Sequence, residues 1–487
     1  MRYLLGIDQG TTQTTAVVLD QHGQIVAKQS AQLPARFPQP GWVEQDPHDI
    51  VRSVKEACAP LLERYDIAAV GFDNQGETFV VWEADTGRPV TPAIVWQDTR
   101  AEAVCKSMAG EIDLERLRQT TGLLLDSYFS APKLKWVFEN HPAIRDQAHS
   151  GKLKFGTTET WVLWTLTHGK LHVTDPSTAS RTLLFDMRRF EWDAKLLSAF
   201  DVPAGMLPEI KPSAGYLGEV DFGDGRPLPL HALLVDQQAA LFGQACFRSG
   251  EMKCSFGTGS FLLMNIGSEP RLSNHGLLTT VGWNFNRQTA YALDGGIFVT
   301  GAAVQWLRDN LHLIPDSPAS SETAKQSTDP GVVVVPALQG LAAPHWRTDV
   351  RGAIFGLNRS SGAADIVRAT LDGIACRVVE VVGAMAQDAG RNPPLLKVDG
   401  GPSGNPYLMQ MITDLLDIEV HVSAALEATA IGIANLAGVS AFGTSFAELT
   451  QRWKAETVYV PRMKPPERER KLAQWDKAVR AVKGFHA

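Results

Sequence analysis

The sequence contains none of four motifs that would assign a chemistry directly. Gly-x-x-x-x-Gly-Lys-Ser/Thr, Gly-x-Gly-x-x-Gly, His-Glu-x-x-His and Gly-x-Ser-x-Gly are all missing. The Walker nucleotide fold, the dinucleotide fold, the zinc peptidases and the serine hydrolase elbow therefore lose support. Cysteine is scarce and scattered: Cys58, Cys105, Cys246, Cys254 and Cys376 form no Cys-x-x-Cys pair. That argues against a zinc site or a disulfide framework and fits a reducing compartment. No apolar run approaches the ~20 residues of a membrane span. The start, Met-Arg-Tyr-Leu-Leu-Gly-Ile-Asp8, meets an acid too early for the apolar stretch of a signal peptide. A formal net charge of -7 leaves no basic field for nucleic acid or an anionic membrane. These absences predict a cytoplasmic protein with neither of those partners.

What is present suffices for a large fold. The 487 residues are 44% apolar and 20% charged, which suits two or three domains with full cores. The most informative stretch is Leu5-Gly-Ile-Asp8-Gln9-Gly10-Thr11-Thr12, followed by Thr15-Ala-Val-Val-Leu. An apolar strand ends at one acid, a glycine turn carries two threonines, and a second apolar strand leaves. Such a hairpin offers backbone N–H groups and hydroxyls to an anion, with a carboxylate beside it that can hold a metal ion. Nucleotide phosphate with Mg²⁺ is the simplest occupant, and a plain turn is the competing explanation.

Further along, Leu4–Ile7, Ala16–Leu19 and Ile25–Lys28 read as strands, Pro47–Leu62 as a helix, and Ala68–Phe72 and Ala93–Trp96 as buried strands. The latter two end at Asn74-Gln-Gly76-Glu77 and at Gln97-Asp98, and an open α/β sheet binds ligands at the carboxyl ends of its strands. A second unit begins near Cys246. Lys253–Phe256, the turn Gly257-Thr258-Gly259 and Ser260–Ile266 loosely repeat the opening hairpin. Tyr291–Leu293 reads as a strand and Gly301–Leu311 as a helix. Ala363–Ala386 reads as a helix, Leu395–Val398 as a strand and Pro406–Leu416 as a helix. The repeat suggests a duplicated α/β unit with a cleft between halves, divided as residues 1–245 and 246–487. Pro208–Pro229, rich in Gly and Pro, predicts a surface excursion, and Pro315–Asp329 a polar mobile segment. The tail after Pro466 predicts a closing helix.

Two segments carry candidate chemistry. In Val235-Asp236-Gln237-Gln238, an acid follows a strand and opens a helix, where the helix dipole favours its ionised form. Asp236 can then accept a proton from a substrate hydroxyl. It can equally be an N-cap, worth about 1 kcal/mol of helix stability. In Lys397-Val-Asp399-Gly400-Gly401, paired glycines let the backbone approach a flat base or a phosphate.

Together these segments resemble the FGGY carbohydrate kinases, of the sugar kinase/Hsp70/actin superfamily. Tyr128-Phe-Ser130-Ala-Pro-Lys133 through Asn140, and Gly352-Ala-Ile-Phe-Gly356 with Asp365 to Asp372, look like the family's signatures. Within the family the glycerol kinases are most similar. Pro40-Gly-Trp-Val-Glu44, Ile94-Val-Trp96-Gln, His172-Val-Thr-Asp175, Ala179-Ser-Arg-Thr182, Asp236 to Gly243 and Gln305-Trp-Leu-Arg308 carry that likeness. The resemblance implies two RNase H-like domains closing over ATP and a small polyol or sugar. It implies Asp236 as catalytic base, and Asp8 with Asp236 toward Mg²⁺. Thr11, Thr12, Gly257 and Thr258 would line the phosphates, and Gly301, Gln305, Gly401 and Asn405 would border the nucleotide. Gly76, Glu77, Trp96, Tyr128, Asp236, Gln237 and Phe261 fall at the polyol positions. Glycerol is the best single substrate. Assembly as a homodimer or homotetramer is left open.

Two departures stand out. Gly76 lies where glycerol kinases have an arginine that grips the polyol. The vacated space would admit a longer polyol or ketose, or water would fill it and glycerol would bind weakly. Thr15 lies where they put a basic residue near the transferred phosphoryl group, so Mg²⁺, backbone donors or another cation must supply that charge. The short loop Gly223-Asp-Gly-Arg226 also lacks the basic, glycine-rich form that binds a sugar bisphosphate effector in some of them. An actin-like ATPase and a non-catalytic sugar sensor are the competing functions; neither needs both the base and a complete polyol pocket.

Overall fold

The opening hairpin forms as its residues require. Tyr3–Gln9 and Gln13–Leu19 pair antiparallel with Asp8 opposite Thr15, and their apolar side chains are buried. The computed structural model describes residues 2–485. Ile25–Gln32 extends the hairpin on one side. On the other, Ile67–Asn74 and then Leu228–Val235 add in parallel. The helix Pro47–Leu62 makes the crossover between them. Asp46 caps it by accepting from the His48 N–H at 2.9 Å, with Pro47 at its first position.

The second half repeats this plan. Met252–Phe256 and Ser260–Gly267 form the hairpin, Gln288–Ile297 extends it, and Leu395–Asp399 and Glu419–Ser423 add in parallel. Ala363–Ala389 is the crossover helix. Each half thus has the same five-strand core, with the hairpin's first strand at its centre. The first sheet gains Ala214–Val220 at its edge, and the second gains Leu278–Phe285 and Ala455–Tyr459.

In each half a helix follows the last parallel strand: Asp236–Gly243 in the first and Ala428–Phe442 in the second. These two helices pack on each other, and Ala428–Phe442 also covers strands of the first sheet. Contact is close because glycines remove the side chains. A Cβ on Gly6 or Gly71 would lie 2.1 or 2.2 Å from the carbonyl oxygens of Ala430 and Ile433.

Two sequence expectations fail. Pro208–Pro229 is not only a surface excursion, since Ala214–Val220 lies within it and pairs with Leu228–Val235. Its glycines, Gly215 and Gly218, adopt positive φ and accommodate the register shift, which hides the strand pattern. Pro315–Asp329 contains the helix Ala319–Lys325, seated by the buried Ser320 and Ser321. The closing helix forms as expected, as Pro465–Phe485. No helix of the described residues is long and apolar enough to cross a membrane.

Candidate active site

The strand ends of the first sheet bring the acids together. Gln9, Asn74 and Val235 end three neighbouring parallel strands, with Asp8 beside Asp73 in register and Asp236 following Val235. Burial, then the Asp236 charge, pushes Asp8 up to about 7. Asp73 was not singled out from the sequence. It is fully buried, and neither of its carboxylate oxygens meets a protein donor. Burial, then the charges of Asp8 and Asp236, push its pKa well up, which disfavours its charged form beside those two acids. Such crowding of acidic oxygens suits a hard cation. Among the described residues no group of three or more His, Cys, Asp or Glu could hold a metal by itself.

Asp236 opens its helix and is raised by burial, against the hydrogen bonds of Gln237. Burial outweighs these hydrogen bonds here. Gln237 donates to Asp236 from its backbone N–H at 2.8 Å and from Nε2 at 3.0 Å. Its amide is oriented by Lys253, whose Nζ donates to Oε1 at 2.5 Å. Lys253 is fully buried and was also missed; a lysine between Met252 and Cys254 in a buried strand was the available signal. Thr15 is buried on Ser30, 3.0 Å between hydroxyl oxygens, and lends no charge.

The polyol positions converge. Trp96 meets Tyr128 and Phe261 edge-on, with ring centroids 5.7 and 6.0 Å apart. Buried Lys133 fixes this wall by donating to the carbonyls of Val95, Trp96 and Tyr128. The Trp96 indole donates to Thr11 Oγ1 at 2.9 Å, tying the wall to the first hairpin. Glu77, at φ +58, is pushed up to about 7 by burial, against the pull of Arg181. Arg181 Nε donates to Glu77 Oε1 at 2.6 Å, and its Nη1 to Asp294 Oδ2 at 2.8 Å. Gly76 is buried, and a Cβ there would lie 2.9 Å from the side-chain methyl Val235 Cγ2.

The glycine segments of the second half also meet. Gly301 N–H donates to Gly257 O at 3.1 Å, and a Cβ on Gly400 would lie 2.0 Å from Phe256 O. Thr12 and Thr258 are exposed at the two hairpin tips, Gln305 is exposed on its helix, and Gly401 faces open space. Asn405 Oδ1 caps Pro406–Leu416 through Leu408 N–H at 3.0 Å, and its Nδ2 donates to Ser320 at 2.9 Å.

The FGGY family of carbohydrate kinases matches twice, its N-terminal domain over residues 3–243 and its C-terminal domain over residues 252–441. The chain is 43% identical to a glycerol kinase of Petrotoga mobilis over 493 residues, spanning 99% of each. It is 45% identical to one of Halorhodospira halophila, spanning 98% of this chain and 96% of the other. Plasmodium falciparum glycerol kinase with ADP superposes with a TM-score of 0.92 at 34% identity, covering 99% and 98% of the two chains. A ligand-bound xylulose kinase from Lactobacillus acidophilus shares the fold, with a TM-score of 0.90 at 21% identity and 100% and 99% coverage.

Proposed function

The chain belongs to the FGGY family of carbohydrate kinases, and on that footing we propose that it transfers the γ-phosphoryl group of ATP to a hydroxyl of glycerol. That it is a carbohydrate or polyol kinase follows from the family; glycerol and the residue roles are the further step. The observation that carries the step is the convergence of an aromatic wall of Trp96, Tyr128 and Phe261 with the carboxylates of Glu77 and Asp236, which lie close enough to act on one another. The glycerol kinases of Petrotoga mobilis and Halorhodospira halophila support the choice of substrate.

In this reading Asp236 takes the proton of the attacking hydroxyl. Gln237, aligned by Lys253, keeps the carboxylate turned toward it. Phosphoryl transfer depends mainly on in-line positioning and charge neutralisation. Thr11, Thr12, Gly257 and Thr258 line the phosphates, and Gly301, Gln305, Gly401 and Asn405 border the nucleoside. Asp8 and Asp236 hold Mg²⁺, which neutralises phosphate charge when bound. Residues 1–245 carry most of the polyol side, with Phe261 from the second half, and 246–487 most of the nucleotide side, with Thr11 and Thr12 from the first, so closure of the cleft excludes water.

The test is ADP release from Mg-ATP with glycerol, dihydroxyacetone, erythritol, pentitols and xylulose. Glycerol should give the highest kcat/KM. A four- or five-carbon winner would replace glycerol as the substrate. ATP-driven polymerisation without polyol-dependent ADP release would favour a filament-type ATPase.

A further inference from the structure

Arg181 is buried to 4% exposure, yet its guanidinium is only partly used. Nε serves Glu77 and Nη1 serves Asp294, while Nη2 has no hydrogen-bond partner among the described residues and is not sealed from solvent. Glu77 is in the same condition: Oε1 accepts from Arg181, and Oε2 is unpartnered but accessible. Both groups adjoin the pocket wall, with the guanidinium carbon 5.7 Å from the Tyr128 ring centroid. Arg181 also borders position 76, its Cγ 3.9 Å from where a Cβ on Gly76 would stand. A buried guanidinium with spare N–H donors beside a carboxylate with a spare oxygen is matched by a neutral ligand with adjacent hydroxyls, each accepting from one and donating to the other.

We propose that Arg181 is a specificity-determining residue of this pocket, binding a polyol hydroxyl through Nη2 while Glu77 Oε2 accepts from the same or the adjacent hydroxyl. The inference rests on the polyol kinase function proposed above. Because Asp294 belongs to the second half's sheet, Arg181 also places the hydroxyl relative to both sides of the cleft.

The test compares the parent enzyme with Arg181→Lys on glycerol, propane-1,2-diol and propane-1,3-diol, reading kcat/KM for each and KM for ATP. Loss of a charged hydrogen bond predicts about a ten- to hundredfold fall with glycerol. The diol lacking the bound hydroxyl should lose far less, so the preference for glycerol collapses while KM for ATP holds. An equal loss on glycerol and both diols would mean that Arg181 only supports Glu77 and the fold, and overturns the proposal. A parent enzyme releasing no ADP with any polyol overturns the kinase function instead, and the proposal with it. Asp294→Asn gives a second arm, should Arg181→Lys fold poorly. It keeps the guanidinium but loosens its tether, and should raise KM for glycerol and weaken the preference over the diol. An unchanged KM and preference there would count against the proposal.

Discussion

Val235 Cγ2 stands 2.9 Å from where a side chain on Gly76 would begin. The two residues adjoin at the ends of neighbouring strands, and the β-branched valine has little rotamer freedom with which to withdraw. Gly76→Arg alone should therefore overpack the pocket, costing about 1–3 kcal/mol of stability, and should not improve glycerol turnover. Gly76→Arg combined with Val235→Gly should recover melting temperature relative to the single variant. Equal melting temperatures for the parent and Gly76→Arg would refute this account of position 76.

Asp236→Asn should separate binding from chemistry. The amide retains size and keeps one of the two Gln237 hydrogen bonds through its single oxygen, but cannot take a proton. The kcat should fall about 10²–10⁴-fold, the range for positioned proton transfer, while the equilibrium affinity for ATP without metal changes little. A near-parental kcat in the Asp236→Asn variant would remove Asp236 as the base.

Glu77 gives a pH signature. Burial pushes it up to about 7, against Arg181, with Asp236 and Lys133 acting on it in opposite senses. Only the ionised form leaves Oε2 free to accept from a substrate hydroxyl while Oε1 holds Arg181, so 1/KM for glycerol should fall as pH drops through about 7 at saturating Mg-ATP. The stability effect has the opposite sign. With its folded pKa above the unfolded value, Glu77 favours the fold fully below the ordinary carboxylate range, and this contribution is lost as pH rises through about 7. Glu77→Gln should flatten the KM profile; a bend persisting in that variant would assign it to another group.

Much of the molecule was readable because local rules and tertiary structure agree. Pro47–Leu62 carries its cap and its apolar face in sequence, and Asp8 and Asp236 announce themselves as single acids ending apolar strands. The failures have physical causes. Ala214–Val220 is an edge strand whose glycines break the two-residue alternation. Ala428–Phe442 is nearly apolar all round, which shows burial but not that it docks on the first sheet. Asp73, Lys253 and Asp294 each sit within an apolar strand, and only the fold reveals that Asp73 lies beside Asp236, that Lys253 holds Gln237 and that Asp294 holds Arg181. Arg181 was visible as part of a motif, but its salt bridges span residues far apart in sequence.

Gly243 and Gly432 test how the halves are joined. A Cβ on Gly243 would lie 1.9 Å from Ala428 O, and one on Gly432 would lie 1.9 Å from Ala239 O. The obstacles are backbone carbonyls of the opposing helix, so neither clash can be relieved by turning a side chain. Gly432→Ala gains helix propensity of about 1 kcal/mol, but it must push apart two helices, one of which begins at Asp236. The clash should prevail. The melting temperature should drop, and kcat should drop with it because the base moves relative to the cleft. Gly383 is the control: it lies inside the helix Ala363–Ala389 with nothing within 4 Å of an added Cβ. Gly383→Ala should raise stability by about 0.5–1 kcal/mol and leave kcat unchanged. If Gly432→Ala melts as high as Gly383→Ala, the helices have room to spare, and the close approach of the two halves is not what positions Asp236.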